Sequence, residues 1–212
     1  LLSMAVAIPL GVLAATRPNS LVDHACRVVV TAGVSMPVFF TGLLLVYVFY
    51  YLLGWAPSPL GRLSFMYIEP AHVTGLYLVD SLIALDFEVF RAALGQIALP
   101  AITLALFAMA PIARMTRAAM LSVLASDYIR TAKASGLAPR TVLFAYALRN
   151  ALLPIITLAG LQAGQMVGGA ILTETVFAWP GIGRLMFEAL QQRDYNLLLG
   201  IFFFSAALVI VF

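Results

Sequence analysis

Long stretches without a charged side chain constrain this chain more than any other feature. Four of them approach or exceed the roughly 20 residues that a helix needs to cross the hydrocarbon core of a bilayer. They are residues 28–53, 92–113, 150–173 and 195–212, and the opening residues 1–16 form a shorter run of the same kind. The runs are continuous rather than alternating, which favours helices over barrel strands, since backbone in lipid must satisfy its own hydrogen bonds. The sequence therefore predicts an all-α integral membrane protein with five helices.

The composition agrees with a membrane location. Hydrophobic residues make up 63% of the chain and charged residues 10%, against about 45–50% and about 25% in soluble domains. Because the chain begins and ends inside apolar runs, we expect a fragment of one transmembrane domain, residues 1–212, with its first and last helices truncated. Cys26 is single, and His24 and His72 are far apart, so we predict no internal disulfide, metal site, cofactor or catalytic residue.

The charges of the connectors alternate along the chain. Residues 17–27 carry two arginines and one aspartate, and residues 117–149 are basic, whereas residues 54–91 carry two arginines and four acids. Short basic connectors face the cytoplasm, so the first two are predicted inside and the third outside. The net charge of +3 is explained by this orientation, and no nucleic acid partner is expected.

The predicted spans contain helix-disturbing residues but no ionisable ones near their centres. Gly33 and Pro37 are expected to interrupt the second span, and Pro100 and Pro111 the third, as tolerated kinks. Ion-coupled transporters and intramembrane enzymes commonly place ionisable groups inside their spans. Their absence from the span centres disfavours both of those classes.

One span carries a stripe of small residues and two amides. Gly160, Gly164 and Gly168 recur every four residues, which predicts close packing against another helix. Gln162 and Gln165 lie on a different side of this helix, where they face another neighbour or a polar cavity. These two residues are candidates for lining the pore.

The first basic connector contains a helix start. Pro18 and Asn19 form a turn before Ser20, and Asp23 follows three residues later. This pattern predicts Ser20 as the N-cap of the next helix, with Asp23 at the third helical position.

The central basic connector has the period of an amphipathic helix followed by a turn. Its apolar positions are Leu121, Leu124, Ala125, Tyr128 and Ala132, which fall on one helix face. Gly136 then suits a helix C-terminus, and Pro139 suits the first turn of the next helix. Such a helix either lies on the lipid surface or docks onto a protein partner, and its periodicity leaves both alternatives open.

Particular strings in the chain carry a family resemblance. DYIRTAKASGL, followed by ALRNALLP, resembles the cytoplasmic signature loop of permease subunits of bacterial binding-protein-dependent ABC importers, in the dipeptide, oligopeptide and nickel branch. ETVFAWPGIGRLMFEALQQRDY resembles the outside connector before the last helix of that branch. GVLAATRPNSLVD and VSMPVFFTGLLLVYVF resemble the first-listed of the two permease subunits. Arg130-Thr131-Ala132 replaces the Glu-Ala-Ala of the general importer loop, while Gly136 is retained.

The resemblance implies a type I ABC importer transmembrane domain in the bacterial inner membrane, working by alternating access. Its partners would be a second permease subunit, two cytoplasmic ATPases, an external solute-binding protein and membrane lipid. Residues 117–149 would be the coupling-helix loop within the domain. The residues expected to dock onto an ATPase are Asp127, Tyr128, Arg130, Thr131, Ala132, Lys133, Ala134, Ser135 and Gly136.

The substrate class that the resemblance implies first is peptides, and nickel and glutathione are the next candidates. No Gly-x-x-x-x-Gly-Lys-Ser/Thr string occurs in the sequence, so this chain is not expected to hydrolyse ATP or to be an enzyme. The alternatives that remain are an ion-coupled secondary transporter and a membrane scaffold or sensor without transport.

Overall fold

The structure is a computed structural model that describes residues 1–211, and the side-chain environments of these except at positions 34, 167–169 and 211. Its described residues form helices joined by turns and one long loop. The helices are α1 Leu2–Thr16, α2 Leu21–Val34, α3 Val38–Leu45, α4 Tyr77–Ile83, α5 Phe87–Leu124, α6 Asp127–Ala134, α7 Pro139–Thr141, α8 Arg149–Gly169, α9 Ile171–Val176, α10 Ile182–Gln192 and α11 Tyr195–Val211. Two π-helical segments, Val46–Leu52 and Val142–Leu148, continue α3 and connect α7 to α8.

The predicted spans correspond to apolar helices. Phe87–Leu124 and Pro139–Met166 are each long and apolar enough to cross a membrane, and the broken pair Leu21–Gly33 and Val38–Leu52 passes the same test together. Leu2–Thr16 and Tyr195–Ile210 are shorter apolar helices. The all-α membrane fold predicted from the sequence is confirmed.

The interruptions fall at only some of the expected places. The second span breaks before Pro37, because the residue preceding a proline is disfavoured in the helical conformation. By contrast, α5 continues through Pro100 and Pro111, so these prolines are tolerated within one helix, and the kinks expected there stay a prediction. The span predicted over residues 150–173 ends instead at Gly169, and the residues beyond Ala170 form the separate helix α9.

Four helices end in the same hydrogen-bonded turn. In each, one residue is left-handed and the following N–H donates to a carbonyl five residues back, which is the Schellman motif. The left-handed residues are Leu85, Gly136, Ala178 and Arg193, with φ of 55°, 75°, 50° and 57°. Only one of them is glycine, so the other three hold a conformation that costs roughly 1 kcal/mol in a residue with a Cβ.

The described chain divides into two compact units. The first contains Leu1–Ser35 and Ala105–Gly164, and the second contains Met36–Leu104 and Gln165–Val211.

In the first unit, α1 packs very closely against the C-terminal part of α5. A Cβ placed on Gly11 would lie 2.5 Å from the Cβ of Thr116 and 2.8 Å from the Ala113 carbonyl oxygen. Ala7, Ala14 and the Thr116 side chain are buried. Small side chains on α1 therefore allow the two backbones to approach.

In the second unit, the loop before α4 is fixed by a buried carboxylate. Asp80 accepts hydrogen bonds from the Thr74 hydroxyl at 2.7 Å and from the main-chain N–H groups of Thr74 and Gly75 at 2.8 and 3.0 Å. The Thr74 hydroxyl lowers the pKa of Asp80, with burial opposing and the main-chain donors adding to the effect. Arg62 lies 4.0 Å above the Tyr77 ring and donates to the Gly75 carbonyl, which holds the far side of the loop.

Gly11→Val is expected to destabilise the first unit by about 1–3 kcal/mol, because the added atoms overlap Thr116. The measurement is the thermal unfolding midpoint in detergent. Gly200→Ala is the matched control, since a Cβ there meets no atom within 4 Å among the described residues. An equal midpoint for the two variants would contradict the close approach of α1 and α5.

Asp80→Asn is expected to loosen the loop, since the neutral amide replaces a carboxylate that accepts three hydrogen bonds. The rate of tryptic cleavage after Arg62, measured by mass spectrometry, should rise roughly fivefold or more. The lowered pKa of Asp80 means that its contribution is fully present at the neutral pH of this assay and is lost only on acidification. Glu88→Gln, on the exposed start of α5, is the control and should leave the cleavage rate unchanged.

Candidate functional site

The central basic connector folds as a short helix separated from α5 by a turn. The connector begins within α5, which ends at Leu124. A new helix, α6, starts at Asp127, and its N-cap residue Ser126 is extended, with ψ 154°. The single helix face predicted over residues 121–135 is therefore wrong, because this turn resets the helical phase. Ile129 and Ala132 are the buried residues of α6, whereas Tyr128 is 43% exposed.

The end of α6 is confirmed as predicted. Gly136 has φ +75°, its N–H donates to the Lys133 carbonyl at 3.0 Å, and the Leu137 N–H donates to the Ala132 carbonyl at 3.4 Å. A Cβ on Gly136 would meet no described atom within 4 Å. Glycine is therefore favoured here by its backbone conformation and not by lack of space. Pro139 occupies the first position of α7, also as predicted.

Apart from two buried residues, α6 is open to its surroundings. Ile129 and Ala132 are its buried residues, and the helix contacts the π-helical segment Val142–Leu148, in which Val142 and Ala147 are also buried. The remaining α6 residues are exposed. Arg130 and Asp127 form an ion pair at 3.4 Å with both side chains largely exposed, so this pair adds little stability.

A buried ion pair joins the start of α2 to the end of α5. Arg117 donates from Nε and Nη2 to the two carboxylate oxygens of Asp23 at 2.8 and 2.7 Å. The Asp23 side chain is fully buried, and its carboxylate also accepts the Asn19 N–H at 3.0 Å. Ser20 is the N-cap and accepts the Asp23 N–H at 3.3 Å, which confirms the predicted helix start. The partner Arg117 was not predicted, since it lies 94 residues away in sequence.

The two predicted pore-lining glutamines have different surroundings. Gln162 is partly buried, and its Oε1 has no hydrogen-bond partner among the described residues. Gln165 is exposed. In the predicted glycine stripe, Gly164 is buried and Gly160 is partly buried, while Gly168 lies outside the residues whose side-chain surroundings are described.

The string that begins at Glu174 forms a structured connector in the second unit. The Glu174 carboxylate accepts the main-chain N–H of Arg184 at 2.7 Å, in the first turn of α10. The N-cap position itself is Gly181, which has no side chain to cap the helix. A Cβ on Gly181 would lie 2.1 Å from the Glu174 carboxylate, and one on Gly183 would lie 2.7 Å from Ile171. The two glycines thus leave room for a capping carboxylate supplied by another helix.

This connector is locked at both ends. The Trp179 N–H donates to the Glu174 carbonyl at 2.7 Å, which closes the turn after α9. At the other end Asp194 accepts the Leu197 N–H at 3.0 Å and caps α11. Sequence reasoning did not assign this cap, because the capping carboxylate comes from another helix and no local capping pattern marks it.

These features define a polytopic membrane domain with a short exposed helix between two spans. Residues 7–212 match the family described as binding-protein-dependent transport system inner membrane component. The chain belongs to this family, so the resemblance predicted from the sequence and the inner-membrane location are confirmed.

Curated relatives agree with this assignment. The chain is 48% identical over 202 residues to the di/tripeptide transport system permease protein DppB of Pseudomonas aeruginosa, covering 95% of this chain and 59% of the relative. It is 45% identical over 200 residues to the probable D,D-dipeptide transport system permease protein DdpB of Escherichia coli, covering 94% and 58%. It is 38% identical over 211 residues to the oligopeptide transport system permease protein AppB of Bacillus subtilis, covering 100% and 60%. The chain thus spans about three fifths of the length of these relatives.

Glu174→Ala is expected to destabilise the protein by about 1 kcal/mol, because α10 loses the acceptor for its first turn. The thermal unfolding midpoint measures this loss. Glu188→Ala is the matched control: Glu188 contacts the Arg184 side chain at 2.8 Å in a largely exposed pair, which is worth a few tenths of a kcal/mol. An equal effect of the two variants would contradict the capping role of Glu174.

Proposed function

We propose that this chain is the membrane-spanning part of a permease subunit in an ATP-driven importer of peptides. Its family is defined by inner membrane components of binding-protein-dependent transport systems. The relatives quoted above carry names that specify di/tripeptide, D,D-dipeptide and oligopeptide transport. A peptide cargo is therefore the substrate class best supported, ahead of nickel or glutathione.

We assign α6 as the coupling helix, the segment that docks onto a cytoplasmic ATPase, within the loop of residues 117–149. The observation that carries this assignment is how α6 is held: Ile129 and Ala132 are buried, and a Schellman turn at Gly136 ends the helix. A helix lying on lipid needs an apolar face directed outwards. The two most buried apolar side chains of α6 point inwards instead, which favours a protein partner.

The docking surface consists of the exposed side of α6 and its C-terminal turn. Arg130 and Lys133 give it a positive edge, and Tyr128 supplies an aromatic group that is 43% exposed. Aromatic and arginine side chains commonly anchor protein interfaces. The complete proposed set is Asp127, Tyr128, Arg130, Thr131, Ala132, Lys133, Ala134, Ser135 and Gly136, in which Ala132 supports the helix from its buried side.

ATP hydrolysis is assigned to two partner subunits. The only lysine of the chain is Lys133, and it follows Ala132 rather than the glycine of a phosphate-binding loop. A second permease subunit would complete the pathway, and an external solute-binding protein would deliver the peptide. ATP binding would bring the two docked coupling helices together and reorient the spans between inward-facing and outward-facing states.

Gln162 and Gln165 are proposed to line the pathway. The unpartnered Oε1 of Gln162 is a buried acceptor, and peptide N–H groups can donate to such an atom. Gly160, Gly164 and Gly168 would permit the helix to slide against a neighbour during the transition.

Lys133→Glu is expected to reduce ATPase co-purification and peptide uptake by about tenfold or more, because it reverses a charge on the docking surface. The readouts are the membrane level of the permease, the amount of co-purified ATPase and ATP-dependent uptake in proteoliposomes. Gly136→Ala should reduce coupling less, since it strains the turn at φ +75° without changing the surface.

Arg140→Glu, which makes the same change of charge, is the control for charge alone, as Arg140 is exposed on α7 beyond the turn. Normal ATPase association and uptake in Lys133→Glu at a normal membrane level would overturn the docking assignment. Uptake that persists without any ATPase and collapses with an ion gradient would overturn the proposed energy source. Substrate-independent ATPase binding without uptake would instead indicate a scaffold or sensor.

A further inference from the structure

The first unit contains a groove that neither the docking surface nor the proposed pathway uses. It has a volume of about 270 Å³ and lies between α1, α2 and the C-terminal part of α5. Its lining combines apolar side chains, among them Leu10, Ala14 and Val30, with the guanidinium-bearing residues Arg27 and Arg114. Grooves with this combination of apolar wall and cationic rim suit an amphiphile with an anionic head.

The charge balance of the groove is positive. Arg27, Arg114 and Arg117 line it, and the carboxylate of Asp23 is bound by Arg117 in a two-point ion pair. Arg27 contacts the same carboxylate only at 3.6 Å, its Nη2 lies 2.7 Å from the His24 Nδ1, and it remains 48% exposed. Three guanidinium groups against one carboxylate leave two positive charges. Arg114 is exposed and has no ion-pair partner among the residues that the structure describes.

The groove lies beside the half of α1 that leads to the connector predicted to face the cytoplasm. Its α1 residues are Leu10, Gly11 and Ala14, and α1 ends at Thr16. A phosphate at Arg114 and Arg27 would place the lipid beside Leu10 and Val30, apolar residues of the same groove.

We propose that this groove binds an anionic phospholipid of the inner leaflet, with its phosphate held by Arg114 and Arg27. Phosphatidylglycerol is the probe, because it carries one negative charge and no cationic group. The bound lipid would fill the space between α1, α2 and α5 close to the Arg117–Asp23 pair. Anionic lipid would thus become a structural component of the end of α5 from which α6 begins.

Cys26 provides a reporter for this site. It is the only cysteine of the chain, it lines the groove and it is partly accessible. The complete importer, with cysteines elsewhere replaced, is placed in nanodiscs of phosphatidylcholine alone or of phosphatidylcholine with phosphatidylglycerol. The rate at which N-ethylmaleimide modifies Cys26 then measures occupancy of the groove.

Phosphatidylglycerol is expected to slow the modification of Cys26 about fivefold, the effect of one cationic side chain on binding to an anionic lipid. Arg114→Gln should remove most of this slowing, because only Arg27, which also contacts His24, then remains, whereas Arg114→Lys should retain most of it. Arg140→Gln, which removes one positive charge outside the groove, should behave as wild type. Comparing each variant in both nanodiscs cancels the effect that the surface potential of the anionic lipid has on the thiol itself.

Three results would overturn the proposal. If Cys26 of the wild-type importer were equally protected in both kinds of nanodisc, a protein subunit would be covering the groove. Protection by inorganic phosphate added to phosphatidylcholine nanodiscs, to the same extent as by phosphatidylglycerol, would mean a site for a soluble anion. Equal slowing in wild type and Arg114→Gln would mean that the lipid acts elsewhere.

Discussion

The two-point ion pair between Arg117 and Asp23 is the interaction on which the first unit depends. Asp23 is fully buried, and a buried carboxylate is tolerated only when charged and hydrogen-bonding partners replace its water. Arg117 and the Asn19 N–H supply these partners. One carboxylate thereby closes the turn before α2 and fixes that turn to the end of α5. This arrangement also leaves the neighbouring Arg114 and Arg27 as the cations of the groove.

Glycines that leave room for a close neighbour are the second constraint, and they occur in both units. In the first unit Gly11 brings α1 onto Thr116 of α5, just one residue before Arg117. In the second unit Gly181 and Gly183 allow the Glu174 carboxylate to reach the first turn of α10. Glycine acts differently at Gly136, where the surrounding space is open and the left-handed backbone is what matters. The same residue type thus serves packing, capping and chain reversal.

Features set by neighbouring residues could be predicted from the sequence, and features set by distant ones could not. The apolar spans, the Ser20 cap, the turn at Gly136 and the start at Pro139 all follow from local rules. The inward face of α6 was missed, because Ser126 restarts the helix and places Ile129 rather than Tyr128 inside. Arg117 with Asp23 and Glu174 with Arg184 were missed because tertiary packing brings these groups together. In α5, Pro100 and Pro111 lie within one continuous helix of 38 residues, which agrees with the expectation that the span tolerates them.

The exposed helix α6 is joined to α5 by a very short connection. Only Ala125 and Ser126 separate the two helices, and the Ser126 hydroxyl is bound to the Val123 carbonyl of α5. At its other side α6 contacts the π-helical segment that leads into α8. The junction lies two turns beyond Arg117, whose ion pair with Asp23 joins α5 to α2. In the proposed coupling role of α6, these contacts would pass its displacement on to α5 and α2. A large movement of α6 alone would disrupt its buried contacts and its connections to α5 and to the π-helical segment. It would also strain the Arg117–Asp23 ion pair.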